Sequence, residues 1–586
     1  MKIKDNKITD IDKDIIKYIS ENKNFESIIE NDDRIEIMLA LSDIRKNIIS
    51  WYPFEKNCTI LEFGADYGQI TEELCKNAEK VISYEANEEK RNAILKRHEN
   101  IKNLEIIDSL ENIKTKFDYI TLIGLENITD DIVEIFKYTQ KMLKDKGKLL
   151  IAFDNKYSVK SFSTQEKLRK MLDSNRTMYS LEKVKELLEN AGFKYSKIYY
   201  PLTDYKITNV ILGEDRKLKK DEFMRNIIYN NKDDIKCFDE NELIYKLIKD
   251  NISFQYFANS FFIEAYDSEE KENEIRLVAF SNMRKNKYKI KTIMEKDFVY
   301  KYPGNEESKK HIMDVKRNID ILKKLDLKTL DNYDEEKIIS RYVKNSTFDE
   351  IILQTAKNEP NKAIEMMKNY KDKLIKNLPQ SEKTENVFDR YGIKYNLEII
   401  KNMKFTKYGL WDMIFQNCFY IDDDFYFYDQ EWMEEDIPID FIIYRAIKYF
   451  TKIRKYINIE ELYNKLEIDD EKIKIFEELD NKLQEKSRNN QVWELQRNGK
   501  DLAQLKIQKL TDNHTINLLN IELGNKNREI EELKQKNNEL EEKNKIIQIS
   551  KEECEQKKEE LDKELQNIKN SRSWKMVTTL KKIVKR

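Results

Sequence analysis

The chain has 586 residues, enough for two or three domains with cores of their own. It carries 107 basic and 110 acidic side chains, so no global positive field points to nucleic acid as its main partner. Five scattered cysteines without a CxxC pair and three histidines far apart in sequence argue against a disulfide scaffold, a zinc cluster and histidine-based catalysis, which leaves acid–base work to carboxylates. The amino terminus is charged and lacks an apolar signal region, and no run approaches the roughly eighteen apolar residues of a membrane span. A cytoplasmic protein is expected.

Residues 1–45 read as polar amphipathic helices. From 58 onward strands and helices alternate. Residues 58–61 form a short buried strand, Glu62, Gly64 and Gly68 a sparse glycine turn, and residues 69–74 the start of a helix. The chain holds only 11 glycines, so two of them four apart directly after an apolar run stand out. Residues 81–85 are a strand ending in an acid, 90–98 a helix, 104–108 and 117–124 strands, 130–143 a helix and 147–153 a further strand. This alternation predicts an α/β, doubly wound, mostly parallel sheet that binds ligands outside the carboxyl ends of its strands.

A strand, a glycine turn and a helix place free backbone N–H groups and the positive end of a helix at that edge, which is a nucleotide-binding arrangement. Glu85, about twenty residues on, is placed to accept hydrogen bonds from ribose hydroxyls. Asp108 and Ser109 end the third strand where they could read an adenine amino group, and Gly124 and Glu126 close the fourth strand over the ligand. The dinucleotide fingerprint G-x-G-x-x-G fails, because Gly64 is followed by Asp66 and then Gly68.

Residues 61–68 (LEFGADYG), 83–85, 149–156 and 199–205 resemble the class I S-adenosylmethionine-dependent methyltransferases found with bacterial surface-polysaccharide glycosyltransferases. The resemblance covers roughly 46–265. It implies S-adenosylmethionine as cofactor, held by Glu62, Gly64, Asp66, Gly68, Glu85, Asp108, Ser109 and Gly124. Asp66 stands where that family usually has glycine; it could contact the ammonium of the methionine part or mark a decayed site. Methyl transfer needs the sulfonium held in line with the acceptor and water excluded. Asp154 and Asn155, followed by Lys156 and Tyr157, are the candidates for the acceptor side, against a plain polar strand-to-helix loop.

Near 270 the pattern changes. Residues 267–273 are a charged linker, followed by strand-like runs at 275–280, 288–293 and 298–302, a helix over 311–325, more helices to about 400, and an aromatic stretch at 408–432. A second, α+β domain is expected over 272–455. Asp412 and Asn417 have the D-x-x-x-x-N spacing of a protein-kinase-like catalytic loop, and Asp429 follows an aromatic strand. That similarity implies Asp412 as base, Asn417 and Asp429 as Mg2+ ligands, and Lys301 on the phosphates of ATP. The sequence departs from the pattern in three places. No glycine-rich loop precedes Lys301, where 281–290 is instead basic with Arg284, Lys285, Lys287 and Lys289. Leu410 and Trp411 replace His-Arg, and Glu431 replaces the glycine of D-F-G. The helix acid for Lys301 is left open among Glu307, Asp314 and Asp320, and a kinase-like fold without activity is the alternative.

From about 475 charge rises and glycine and proline nearly vanish. Ile516, Leu523, Ile530, Asn537, Asn544 and Leu565 share one heptad position, and Leu519, Leu533, Leu540, Ile547, Cys554, Leu561 and Ile568 the other. This predicts a coiled coil over 475–570, with Asn537 and Asn544 fixing the register of a homo-oligomer and Lys551 and Lys558 weakening its middle. Residues 571–586 hold Arg572, Lys575, Lys581, Lys582, Lys585 and Arg586 and no acid, with Trp574, Val577, Leu580 and Val584 roughly on one helical face. Such a basic amphipathic end suits an anionic membrane surface or a partner protein.

The order of a methyltransferase, a kinase-like domain, a coiled coil and a basic tail resembles the bacterial bifunctional kinase–methyltransferases that cap O-antigen chains. The resemblance implies phosphorylation and methylation of a terminal sugar on a glycan or glycolipid, at the inner face of the cell membrane beside a glycosyltransferase. Two alternatives stand: a sugar-hydroxyl methyltransferase with an inert kinase-like domain, and a coiled-coil scaffold with both sites decayed.

Overall fold

The computed structural model describes residues 7–21, 24–32, 34–111, 113–129, 131–163, 165–173, 178–214, 238, 240–250, 254–269, 275–381, 386–401, 403–489 and 514–584. The chain divides into two units, residues 1–506 and 507–586.

In the first unit, β1 (Cys58–Phe63), β2 (Ala78–Tyr84), β3 (Leu104–Ile107), β4 (Phe117–Ile123) and β5 (Leu143–Asp154) pair in parallel in the order β3-β2-β1-β4-β5. Successive residues of these strands serve different cores. Leu61, Ile120, Leu122, Leu149 and Ile151 are buried on one face, and Ile60, Tyr119, Leu150 and Ala152 on the other. A strand covered on both faces has to be apolar at every position, which is why these segments read as continuous runs. The antiparallel strands β6 (Tyr195–Thr203), β7 (Thr208–Gly213) and β8 (Ser260–Tyr266) extend the sheet in the order β5-β8-β6-β7.

The amino-terminal helices α1 (Asp10–Glu21), α2 (Glu26–Asn31) and α3 (Ile35–Leu41) belong to this domain. Their Ile15, Ile19, Ile37, Met38 and Leu41 share a buried cluster with Tyr67 of the glycine turn and Ala93. Ala93 lies on α5 (Glu88–Arg97), which follows β2 as α4 (Thr71–Asn77) follows β1. The expected boundary at 45 is therefore not a domain boundary, because helices this short hold only by burying their apolar face on a neighbour.

The sheet also crosses the expected boundary near 270. β9 (Leu277–Phe280) pairs antiparallel with β7, Val210 opposite Ala279 and Leu212 opposite Leu277. β10 (Ile290–Met294), β11 (Phe298–Pro303), β12 (Asp331–Tyr333) and β13 (Ile338–Arg341) continue it to thirteen strands among the described residues. Without β9, the edge of β7 would present unpaired N–H and C=O groups. Of the charged stretch 267–273, residues 270–273 lie outside the described residues.

Helix Lys309–Lys324 packs on this extension through Ile312, Val315 and Ile319 against Ile290 and Ile338. Beyond it, Phe348, Tyr370, Phe415 and Phe425 form an aromatic core. That core does not end at 455. Helix Asp470–Ser487 closes it with Phe476, Leu479 and Leu483 buried, so the first residues assigned to a coiled coil are globular core. Apolar residues at helical spacing fit a core and a coiled-coil seam equally well, and composition alone misplaced the boundary. Residues 490–513 lie outside the described residues.

The second unit holds helix His514–Asn570 and helix Arg572–Val584. Of the heptad positions whose side chains are described, Ile530, Leu533, Cys554, Leu561, Leu565 and Ile568 are exposed, and so are Trp574, Val577 and Leu580 of the basic end. Val584's side chain is not among those described. No helix among the described residues is long and apolar enough to cross a membrane.

Candidate active site

At the carboxyl ends of β1, β2 and β4 lies a cavity of about 400 Å3. The glycine turn shapes its floor. Gly64 has φ +66°, and a Cβ there would stand 2.8 Å from Ile128 Cγ1, so neither the conformation nor the space admits a side chain. Gly68 has φ +70°, and a Cβ would stand 2.6 Å from His98 Nε2. The same ring nitrogen donates to the Gly68 carbonyl at 2.8 Å, and burial lowers His98 to about 4, which keeps the ring neutral. Gly124, at φ +91°, opens helix Leu125–Ile128 and lines the cavity.

Glu85 lies just beyond the end of β2. Its Oε2 accepts from the backbone N–H of Asp66 at 3.0 Å and its Oε1 from that of Asn87 at 3.0 Å. Each oxygen has acceptor capacity beyond these bonds, and the residue lines the cavity, so it offers the acceptor set that a ribose diol requires. Burial raises its pKa, against those hydrogen bonds and the charge of Lys90. The carboxylate and the side-chain-free cradle fit the nucleoside and methionine parts of S-adenosylmethionine.

Asp66 also lines the cavity, at φ +54°. Lys90 meets its Oδ1 at 2.5 Å, and Gln69 donates to its Oδ2 at 3.0 Å. Four residues expected in the cofactor set stand outside the cavity lining: Gly68, whose turn only backs it, and Glu62, Asp108 and Ser109. Glu62 is buried beneath the turn, where Thr71 donates to it at 2.9 Å and Ser83 at 2.8 Å; burial raises it to about 7. It ties β1, β2 and α4 together and does not face the ligand. Asp108 is exposed, and Ser109 caps its own turn through the Glu111 N–H at 3.3 Å. Strand β3 ends before these residues reach the cavity.

The acceptor-side expectation is corrected too. Asn155 is buried and donates to the carbonyls of Tyr256 and Ala258 at 2.8 and 2.9 Å, so its amide holds two chain segments together. Asp154 pairs with Lys160 at 2.5 Å and Lys206 at 3.0 Å. Burial raises its pKa, but the two ammonium groups outweigh that and keep it below the usual range. The residues that do line this side are Arg45, Tyr205 and Lys206. Arg45 Nη1 donates to the Tyr205 carbonyl at 3.2 Å, and the Tyr205 hydroxyl donates to Glu126 at 2.7 Å. Asp12 and Leu39, from the amino-terminal helices, form part of the wall, and the Tyr67 hydroxyl donates to Asp12. Sequence gave no signal for these wall residues beyond the quoted run at 199–205, which contains Tyr205.

A second cavity, of about 670 Å3, lies on the extended part of the sheet. Lys301, Asn417 and Asp429 line it together with Arg284 and Glu431, whereas Asp412, expected as the base, is not among the lining residues. Lys301 pairs with Asp429 and, at 2.8 Å, with Glu431. Asn417 Nδ2 donates to the Asp412 carbonyl at 3.1 Å. The Asp412 carboxylate accepts from Arg445 Nη2 at 3.2 Å, and Arg445 also pairs with the buried Asp480 of helix Asp470–Ser487. Burial raises Asp412 to about 6 against the pull of Arg445. None of the helix acids Glu307, Asp314 and Asp320 pairs with Lys301; Asp320 accepts instead from the Tyr333 hydroxyl at 2.9 Å. Among the described residues no three His, Cys, Asp or Glu side chains converge as a metal site, so a cation at Asn417 and Asp429 would complete its coordination with phosphate oxygens and water.

Residues 32–198 match a family model described as a methyltransferase domain. No curated protein matches the chain. Among solved structures, a SAM-dependent methyltransferase of Thermotoga maritima is similar at 16% identity over 42% of this chain and 98% of its own, with a TM-score of 0.26. One of Aquifex aeolicus is similar at 19% identity over 30% and 91%, with a TM-score of 0.23. One of Archaeoglobus fulgidus is similar at 18% identity over 39% and 97%, with a TM-score of 0.27. Residues 32–198, which include the glycine turn and Glu85, carry a methyltransferase domain.

Proposed function

We propose that the chain modifies the terminal sugar of a bacterial surface polysaccharide, the second cavity phosphorylating it and the first methylating the product. One observation carries the coupling. Tyr205 and Lys206, which line the first cavity, lead directly into β7, whose Asn209 and Val210 line the second. Two catalytic centres sharing one strand in one sheet suit successive steps on a single acceptor.

In the first cavity the cofactor supplies a methyl group on a sulfonium. The chain holds the ribose through Glu85, leaves room for the backbone approach at Gly64, and offers Arg45 and Lys206 to an anionic acceptor. In the second, Lys301 would hold nucleotide phosphates, Asn417 and Asp429 would hold Mg2+, and Asp412 would take the proton of the acceptor hydroxyl. The exposed heptad residues support a homo-oligomer built through the helix His514–Asn570. The basic face of Arg572–Val584, with Trp574 exposed, supports docking on an anionic membrane beside a glycosyltransferase.

The test is labelled S-adenosylmethionine on lipid-linked glycan with and without ATP. Methylation that depends on ATP is expected. Methylation without ATP would leave a sugar-hydroxyl methyltransferase with an inert second domain, and absence of cofactor binding would leave a scaffold.

A further inference from the structure

We propose that Glu431 is the residue that positions Lys301, held in place by Arg284, so that the acid orienting the phosphate-binding lysine comes from the loop of Asp429 and not from a helix. This rests on reading the second cavity as a nucleotide site. Glu431 presents its two oxygens to two cations: Oε1 meets Lys301 at 2.8 Å, and Oε2 meets Arg284. The carboxylate is nearly inaccessible, 5% exposed, and Lys301 is 12% exposed, so the pair is protected from water and from salt.

Arg284 is itself fixed. Its guanidinium lies 5.4 Å over the Trp432 ring, and its loop is tied on either side to the chain leaving helix Asp470–Ser487. The Lys285 N–H donates to the Ser487 carbonyl at 2.9 Å, and the Asn489 N–H to the Met283 carbonyl at 2.8 Å. This basic loop occupies the place where a glycine-rich loop was missing from the sequence. Helix Lys309–Lys324 turns Ile312, Val315 and Ile319 to its own core; from it His311 Nε2 lies 3.8 Å from Glu431, and its acids Asp314 and Asp320 do not pair with Lys301.

Lys301 bridges two carboxylates, and the two have different work. Asp429 has to be free for a cation, whereas Glu431 can keep the lysine after Asp429 is taken. Without the Glu431 charge, Lys301 has only Asp429 as partner and competes with the metal for it. Loss of Glu431 should therefore raise the Mg2+ requirement of nucleotide binding, an effect that general loosening of the fold would not produce.

The experiment is calorimetric titration of the full chain with the non-hydrolysable nucleotide AMP-PNP over a series of Mg2+ concentrations. S-adenosylhomocysteine binding to the first cavity serves as the control for folding. Glu431→Gln is expected to weaken nucleotide binding about tenfold at low Mg2+ and to recover at high Mg2+, with S-adenosylhomocysteine affinity unchanged. Lys301→Met should weaken it too, and adding Glu431→Gln to that variant should cost nothing further, because the two act as one unit. Asp314→Asn should bind as the unaltered chain does. An unaffected Glu431→Gln, losses that multiply in the double variant, or a loss in Asp314→Asn instead would overturn the assignment alone. No nucleotide binding by the unaltered chain would overturn both the assignment and the reading of the cavity.

Discussion

Asp66 and Lys90 meet at 2.5 Å at the first cavity, the acid in the left-handed backbone region and the lysine also 4.8 Å over the Tyr67 ring. The acid that departs from the expected glycine is thus already neutralised by a neighbour on α5 and is not waiting for the ammonium of the cofactor. Asp66→Gly should leave S-adenosylmethionine affinity within about threefold, since glycine adopts this φ without strain and no ligand contact is lost. Calorimetry decides it; a loss of tenfold or more would mean that Asp66 touches the methionine part.

Glu85 makes cofactor binding depend on pH. The diol needs an ionised acceptor, and burial raises this carboxyl above its ordinary value. Affinity should be full at neutral pH and fall as pH drops through the raised pKa, above the usual range near 4.3 for a free glutamate. Lys90→Ala removes a charge that favours the ionised form and should move the fall to higher pH. Glu85→Gln should bind weakly with a flat profile. Titrations from pH 5 to 8 check all three, and an unshifted profile in Lys90→Ala would remove Lys90 from the account.

Gly68→Ala should cost about 1–2 kcal/mol of stability from backbone strain and displacement of His98. His98→Ala, added to it, makes room for the methyl group but leaves the φ strain, so only part of the melting temperature should return. Full recovery would show that space alone was limiting.

These residues also mark how far the sequence could be read. The parallel sheet was legible because strands buried on both faces are apolar at every position, and Gly64 and Glu85 because a glycine turn and a strand-end acid have a fixed relation to a nucleotide. Glu62 and Asn155 misled for a common reason. A polar residue at a strand end looks the same whether it faces a ligand or satisfies buried groups of the chain, and here Thr71, Ser83, Tyr256 and Ala258 claim them. Asp12 and Arg45 reach the first cavity, and Glu431 meets Lys301 and Arg284 at the second, only through packing of distant segments, which periodicity does not encode. Phe476 and Leu479 read as coiled coil in the sequence because a core helix and a seam share one spacing.

The exposed positions of the long helix make a separate prediction. Leu533 is 60% exposed and Leu561 61% in the single chain, an apolar stripe that pairing with another copy would cover. Light scattering should find the full chain as an oligomer and Leu533→Asp/Leu561→Asp as a smaller species. Equal masses would exclude that seam as the contact.

Asp412, behind the lining of the second cavity and joined to it through Asn417, sets activity against stability. Its carboxyl is raised from 3.8 to about 6, so the folded chain holds that proton more tightly than the unfolded chain does. The resulting stabilisation is complete below the unfolded value and disappears as pH rises through about 6. A general base works only when ionised, so phosphoryl transfer should rise over the same interval in which this stabilisation is lost. Asp412→Asn should therefore abolish transfer. It should also raise stability at pH 7.5, by at most about 3 kcal/mol for a shift of this size, and with it the melting temperature, while changing both little at pH 4. Arg445 keeps Asp480 as a partner in that variant, which is why the loss of the Asp412 charge should be tolerated. If Asp412→Asn melts lower at pH 7.5, the Arg445 pair outweighs the burial of the carboxylate, and the pH-dependence of transfer should then lie nearer that of an ordinary aspartate.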